Sequence, residues 1–255
     1  MNYFDAVILG IVEGITEFLP ISSTGHMILM SDLLGIGEDE FVKTFEISIQ
    51  LGAIMAIVLM YAKRFFGGLE LYKKLIAAFL PTAVVGFFLY KTIKVYLFNP
   101  TVVSIALIAG GIVLIILDKN MTDKKESTFS IEEMSYRKSF FIGLMQSISI
   151  IPGVSRAAAT IIGGMANGLT KKQAMEFSFL LAVPTMCAAT GYDLLKTPIH
   201  FSQYEFLLLG IGSVVSFAFA YVAVKLFLQV VEKYGFAFFG YYRIVLGIIF
   251  LLFLR

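Results

Sequence analysis

Charge is what this sequence has least of. Asp, Glu, Lys and Arg make up 15% of its 255 residues, where a soluble domain carries about 25%. Such a chain cannot clothe a water-facing surface in charge. Tryptophan is absent and there is one cysteine, Cys187. A lone cysteine excludes a disulfide framework within one chain, and in its apolar run it reads as a small buried packing residue. Acids and bases nearly balance at a net charge of +2, so no basic surface recruits nucleic acid. The opening residues include Asp5 and Glu13 but no basic cluster, and do not read as a cleaved signal peptide.

Hydrocarbon fills the space. Hydrophobic residues reach 58% and mean hydropathy is +0.87. With no tryptophan, Tyr must supply any interfacial belt. The balance specifies an all-α polytopic membrane protein, since helices satisfy their own backbone in lipid. Six runs match the roughly 17–25 residues a bilayer takes: Phe41–Tyr61, Lys73–Tyr90, Pro100–Leu117, Lys171–Leu195, Tyr204–Gln229 and Phe238–Leu254. Charge gathers between them, and Asp118–Lys138 reads as a solvated connector.

Two further apolar stretches, Tyr3–Leu34 and Ser139–Asn167, are broken near their middles, at Leu19-Pro-Ile-Ser-Ser-Thr-Gly25 and Ile151-Pro-Gly-Val-Ser-Arg156. Proline removes a backbone donor and glycine frees the chain, so each stretch reads as two half-helices joined by a turn. Such a turn is tolerated at membrane depth inside protein or a water-filled cavity. Both stretches are therefore expected to be re-entrant helical hairpins; a kinked full span is the alternative.

The halves resemble each other. Gly10-Ile-Val-Glu13 sets against Gly143-Leu-Met-Gln146, Phe45-Glu46-Ile-Ser48 against Met175-Glu176-Phe-Ser178, and, with a one-residue gap, Pro20-Ile-Ser-Ser23 against Pro152-Gly-Val-Ser155. The chain reads as one membrane domain over 1–255, with repeat one about 1–117, a polar connector about 118–138 and repeat two about 139–255. A hairpin plus three spans inverts the second half, an inverted-topology repeat. Loop charge fits: Lys63, Arg64, Lys73, Lys74, Lys119, Lys124, Lys125, Arg137, Lys138, Lys171, Lys172 and Lys233 fall on one side. Lys43, Lys91, Lys94, Lys196 and Arg255 fall on the other. The positive-inside rule then opens the first hairpin outward.

The polar residues of these breaks carry the chemistry. Glu13 and Glu17 share a helix face one turn apart. Either one takes up a proton or a cation sits between them, and an all-oxygen site suits Mg²⁺ or Ca²⁺. Ser22, Ser23 and Thr24 offer caps for a second half-helix whose N–H groups, with Gly25 beside them, favour an anion. Ser23 and His26 lie three apart and can face each other, as a hydroxyl activated by imidazole requires. In the other hairpin Gly153 lets backbone approach a ligand and Ser155 caps. Arg156 opens a half-helix running through Thr160, a place that disfavours a cation unless an anion is present. Glu46, Gln50, Gln146 and Glu176 are weaker candidates for the same cavity, and His200 reads as a loop residue. These groups suit a phosphate or diphosphate handled at membrane depth.

At these residues the sequence resembles the undecaprenyl-diphosphate phosphatase, or bacitracin-resistance protein, family. Glu13-Gly-Ile-Thr-Glu17-Phe-Leu-Pro-Ile-Ser-Ser-Thr-Gly-His26 resembles its first motif and Pro152-Gly-Val-Ser155-Arg156-Ala-Ala-Ala-Thr160 its second. Ala157-Ala158 stands where the family usually has Ser-Gly. The resemblance implies a multi-pass enzyme of the bacterial inner membrane, needing a divalent cation and working near the outer face. It would hydrolyse undecaprenyl diphosphate to the monophosphate, recycling the carrier for peptidoglycan and conferring bacitracin resistance. It implies catalytic roles for Glu17, Ser23, His26 and Arg156. Glu13 and Glu17 would hold the metal; Ser22, Thr24, Gly25, Gly153, Ser155, Arg156 and Thr160 would bind substrate. Whether Ser23, His26 or water attacks phosphorus stays open, and the composition leaves room for a homodimer. The alternative on the same repeat is a transporter of polyprenyl phosphate.

Overall fold

Helices begin in this chain where a short polar side chain can take the first free N–H groups. Asn2 accepts from Phe4 and Asp5, and the Asp5 carboxylate accepts from the Asn2 N–H, a capping box that opens helix α1, Tyr3–Thr16. Ser202 and Glu205 repeat the device at the start of α10. The computed structural model describes residues 1–97, 100–120, 129–196 and 201–253, with backbone alone at 90–95, 100, 120 and 253. Among the described residues every regular element is helical. After α1 come α2 (Ser23–Leu33), α3 (Glu40–Met60), the short α4 (Ala62–Phe65), α5 (Leu69–Tyr96) and α6 (Pro100–Asn120). Then follow α7 (Tyr136–Ile148), α8 (Arg156–Ala166), α9 (Lys171–Lys196), α10 (Gln203–Tyr234) and α11 (Ala237–Phe253).

Among the described residues five helices are long and apolar enough to cross a bilayer: α3, α5, α6, α9 and α10. The sixth expected run corresponds to α11, apolar but shorter over its described residues; its last residue, Leu254, lies outside them. Lys124, Lys125, His200 and Arg255 also lie outside, as do the side chains of Lys91 and Lys94.

Without water to drive apolar faces together, close backbone approach holds such helices to one another, and small residues permit it. α1 lies against α10, where a Cβ on Gly10 would meet the carbonyl of Gly212 at 2.8 Å. α7 lies against α5, where a Cβ on Gly143 would run into the Ala78 carbonyl. α3 meets α9, and α6 meets α11 with Gly111 and Gly240 facing each other. Each short hairpin thus packs on a long helix of the other half.

Two expectations are corrected. Cys187 is exposed, because the inner face of α9 is taken by Met186 and Thr190 while 187–189 face outward. The connector is not wholly solvated: α6 runs on to Asn120, and Ile131 and Met134 are buried in the main hydrophobic cluster.

Candidate functional site

The site is assembled where the tips of the two hairpins meet. At each tip the chain turns through a serine in left-handed backbone: Ser22 has φ 71° and Ser155 φ 73°. Non-glycine residues rarely adopt this conformation, which costs about 1–3 kcal/mol. Each serine then caps the helix it opens, Ser22 Oγ accepting from the Gly25 N–H at 3.5 Å and Ser155 Oγ from the Ala158 N–H at 3.2 Å. Ser22 is therefore the counterpart of Ser155, and the gap placed between the two tips is not needed. One constant register sets Gly10 on Gly143, Glu13 on Gln146 and Ser22 on Ser155, and makes α2 and α8 equal at 11 residues. In that register Ser23 corresponds to Arg156. The first residue inside each half-helix is a hydroxyl on one side and a guanidinium on the other.

Glu17 joins these two residues. Its Oε1 accepts from Arg156 Nη2 at 2.8 Å and its Oε2 accepts a short hydrogen bond from Ser23 Oγ. The ion pair is nearly dry, with side-chain exposures of 11% and 6%, so screening is weak and breaking the pair is costly. Arg156 also donates to the Ser178 carbonyl at 3.1 Å and lies over the Phe18 ring. Its Nε is buried and without a partner among the described residues.

One turn back, Glu13 is fully buried, and neither carboxylate oxygen has a hydrogen-bond partner among the described residues. Glu17, Glu46 and Arg156 are its charged neighbours. Buried polar atoms are nearly always paired, so an orphaned carboxylate beside an orphaned guanidinium nitrogen demands explanation. A cation on the first and an anionic oxygen on the second would satisfy both. Among the described residues no group of three or more His, Cys, Asp or Glu could hold a metal ion by itself; toward a cation, Glu13 would have all its lone pairs to give and each Glu17 oxygen one beyond its present bond.

The hydrogen bond expected between Ser23 and His26 is not made. Ser23 is taken by Glu17, and the imidazole folds back along its helix so that Nδ1 lies 2.8 Å from the Ser22 carbonyl. Its Nε2 lies 2.7 Å from the hydroxyl of Tyr242 on α11. Spacing alone placed the two side chains on one helix face; the Ser22 carbonyl one turn back, which also accepts the His26 N–H at 3.3 Å, and the oxygen on α11 decide where the ring points.

The remaining sequence candidates take varied places. Ser22 and Ser155 are buried caps, and Thr24 is half-buried at the start of α2. Gly25 packs on Val103 of α6. Gly153, at φ 92°, has no room for a Cβ because the Val103 carbonyl would lie 2.5 Å away; glycine there lets α6 approach. Thr160 is wholly buried, with its hydroxyl engaged by Ser178 Oγ at 2.6 Å and the Arg156 carbonyl at 2.9 Å, so it braces α8. Glu176 is drawn off by Arg64 and belongs to another ion pair. Gln146, the counterpart of Glu13, donates to Thr82 and Thr185.

Sequence reasoning missed Arg243. It is fully buried in α11 and donates to the carbonyls of Leu107 and Ala106 on α6, of Pro20 in the first tip, and of Gly153 and Val154 in the second, at 2.8–3.3 Å. Carbonyl dipoles stand in for a counter-ion. One guanidinium thus ties both tips to α6. The signal was available: a lone arginine inside an apolar helix marks function or a structural pin.

Fold and site together define a multi-pass α-helical membrane protein with opposed charges buried between two short helical hairpins. The family is narrower than that class. A model of the bacitracin resistance protein BacA family matches residues 6–249, and the chain belongs to that family. It is 52% identical to the undecaprenyl-diphosphatase of Wolinella succinogenes over 254 residues, 100% of this chain and 99% of that one. It is also 52% identical to the undecaprenyl-diphosphatase of Persephonella marina over 99% of each chain, and 51% identical to that of Aquifex aeolicus over 98% of each.

Proposed function

We propose that this protein is an undecaprenyl-diphosphate phosphatase, hydrolysing the lipid diphosphate to undecaprenyl phosphate and inorganic phosphate. That returns the carrier to peptidoglycan synthesis and confers bacitracin resistance. Full-length identity near one-half to relatives of that name supports the activity. One observation ties it to this site: the orphaned Glu13 carboxylate and Arg156 Nε, which a cation and a phosphoryl oxygen would satisfy together.

The prenyl tail stays among apolar helices while the diphosphate enters between the hairpin tips. Glu13 and Glu17 would hold Mg²⁺ or Ca²⁺, which when bound supplies positive charge to the phosphoryl oxygens. Arg156 and the first N–H groups of α2 and α8 stabilise charge on the phosphorus undergoing transfer, the dominant contribution in such reactions. Ser23 Oγ attacks the terminal phosphorus and its proton passes to Glu17 Oε2. The bond to the bridging oxygen breaks and undecaprenyl phosphate leaves. Water then attacks the phosphoserine with His26 Nε2 taking its proton, the bond from phosphorus to Ser23 Oγ breaks, Glu17 returns the proton to Ser23, and inorganic phosphate leaves. Glu17, not His26, is the base for Ser23 in this reading, because Glu17 is the group that Ser23 touches.

We read the frame as a single inverted-topology domain of six spans and two re-entrant hairpins. Support comes from the matched α2 and α8, the paired left-handed serines and the exchange of hairpins between halves. Loop charge orients the first hairpin toward the outer face of the bacterial inner membrane.

Phosphate release from undecaprenyl or farnesyl diphosphate in detergent tests the reading. Glu17→Ala, His26→Ala and Arg156→Ala should each lose activity while remaining folded. Full activity in Arg156→Ala would remove its role. Lipid translocation in liposomes without phosphate release would favour a transporter.

A further inference from the structure

We infer that Tyr242 is a positioning residue for His26: its hydroxyl holds the Nε2 end of an imidazole whose tautomer the Ser22 carbonyl sets, and so fixes where that nitrogen points. The inference rests on the phosphatase reading and extends it to a residue of α11 that neither motif contains.

The argument starts from the carbonyl of Ser22. A carbonyl can only accept, so the hydrogen bond at 2.8 Å puts a proton on His26 Nδ1. In neutral imidazole the other nitrogen then carries a lone pair and accepts. The group in reach of Nε2 is the Tyr242 hydroxyl at 2.7 Å, which donates. The phenol and imidazole planes lie within 6° of each other with centroids 5.6 Å apart. The two rings are thus nearly parallel, and the hydroxyl sits within hydrogen-bond reach of Nε2. Both ring nitrogens are engaged, and the carbonyl, which can only accept, sets the tautomer.

The alternative tautomer is disfavoured because a bare Nδ1 would face an acceptor, the Ser22 carbonyl. A base must present its lone pair, and the selected tautomer does so on Nε2. Tyr242 is itself held firmly, because the next residue is Arg243, fully buried and bonded to both hairpin tips. Tyr242 as a residue is 41% exposed, so the contact lies at the protein surface, where displacing the hydroxyl would uncover Nε2. Nδ1, committed to backbone, offers no such approach. The arrangement keeps the imidazole aimed and its lone pair covered until a ligand arrives. The coupling spans the sequence from α2 to α11, so neither hairpin could supply it alone.

Two measurements on the full-length protein in detergent test this. First, Tyr242→Phe keeps the ring and removes the hydroxyl. kcat for phosphate release from undecaprenyl diphosphate should fall about tenfold, with KM changed less than about twofold and the melting temperature unchanged. Wild-type kcat, or a loss of activity matched by a loss of thermal stability, would overturn the role. Second, His200→Gln leaves His26 as the one histidine, so ¹⁵N-histidine NMR reads it alone. The proton should sit on Nδ1, and the Nε2 resonance should move in Tyr242→Phe toward that of a nitrogen without a hydrogen bond. A proton on Nε2, or a resonance that does not move, would overturn the contact. No phosphate release by the parent protein would overturn the phosphatase reading and the catalytic role together, while the NMR separately decides whether the contact exists.

Discussion

A methyl group at position 110 should cost this protein much of its stability. Gly110 lies on α6 beneath the Arg243 guanidinium, and a Cβ there would collide with Nη2 and come within 2.8 Å of Cζ. Nη2 donates to Gly153 O at 2.8 Å and Ala106 O at 3.1 Å, so moving it aside breaks one of two ties to the second tip and one of two ties to α6. Hydrogen bonds to a charged group contribute about 1.5–3 kcal/mol each, which puts the loss at about 3–6 kcal/mol before any overpacking cost. Domains unfold at about 5–15 kcal/mol, so a large part of the margin is at stake. Gly191→Ala is the control. It is also a helix-interior glycine, with nothing within 4 Å of its Cβ position, and should be neutral or gain up to about 1 kcal/mol. Denaturant melts and phosphate release on both variants make the assay. If Gly110→Ala matches Gly191→Ala in stability and rate, Arg243 does not hold the tips.

Thr160→Val removes a hydroxyl bonded to Ser178 and to backbone; stability should fall by about 1–2 kcal/mol with KM unchanged, as melts and kinetics would show. A raised KM would instead make Thr160 a substrate contact. Chelation should abolish phosphate release and added Mg²⁺ or Ca²⁺ restore it. Glu13→Gln should then need roughly tenfold more cation for half activity, read by titrating metal into the stripped enzyme.

Much of this site was legible because lipid makes polar residues expensive. Pro20, Ser22 and Gly25 in one apolar stretch, and Pro152, Gly153 and Ser155 in another, announced breaks, and helices end and restart there. Glu17, Ser23 and Arg156 were singled out separately by residue type, and the fold brings them into one hydrogen-bonded row. The partners were not legible. A spacing of three puts Ser23 and His26 on one face, but it cannot weigh the Ser22 carbonyl or a phenol 216 positions away. Tyr242 and Arg243 sit in an apolar run that read as one more span. A lone arginine there could be suspected, but its partners and those of Tyr242 in the hairpins are set by how α11 packs. The one-residue gap between the tips came from aligning prolines; backbone conformation aligns the left-handed serines.

The central claim is that the Arg156–Glu17–Ser23 row cleaves a lipid diphosphate. The most direct test is phosphate release from undecaprenyl diphosphate by the parent protein and by Glu17→Gln, side by side with divalent cation present. Glu17→Gln preserves size but removes both the partner of Arg156 and the acceptor for the Ser23 proton. The parent should release one phosphate per lipid and leave the monophosphate, with Glu17→Gln slower by about a hundredfold or more. No release by the parent, or equal rates in the two proteins, would contradict the account.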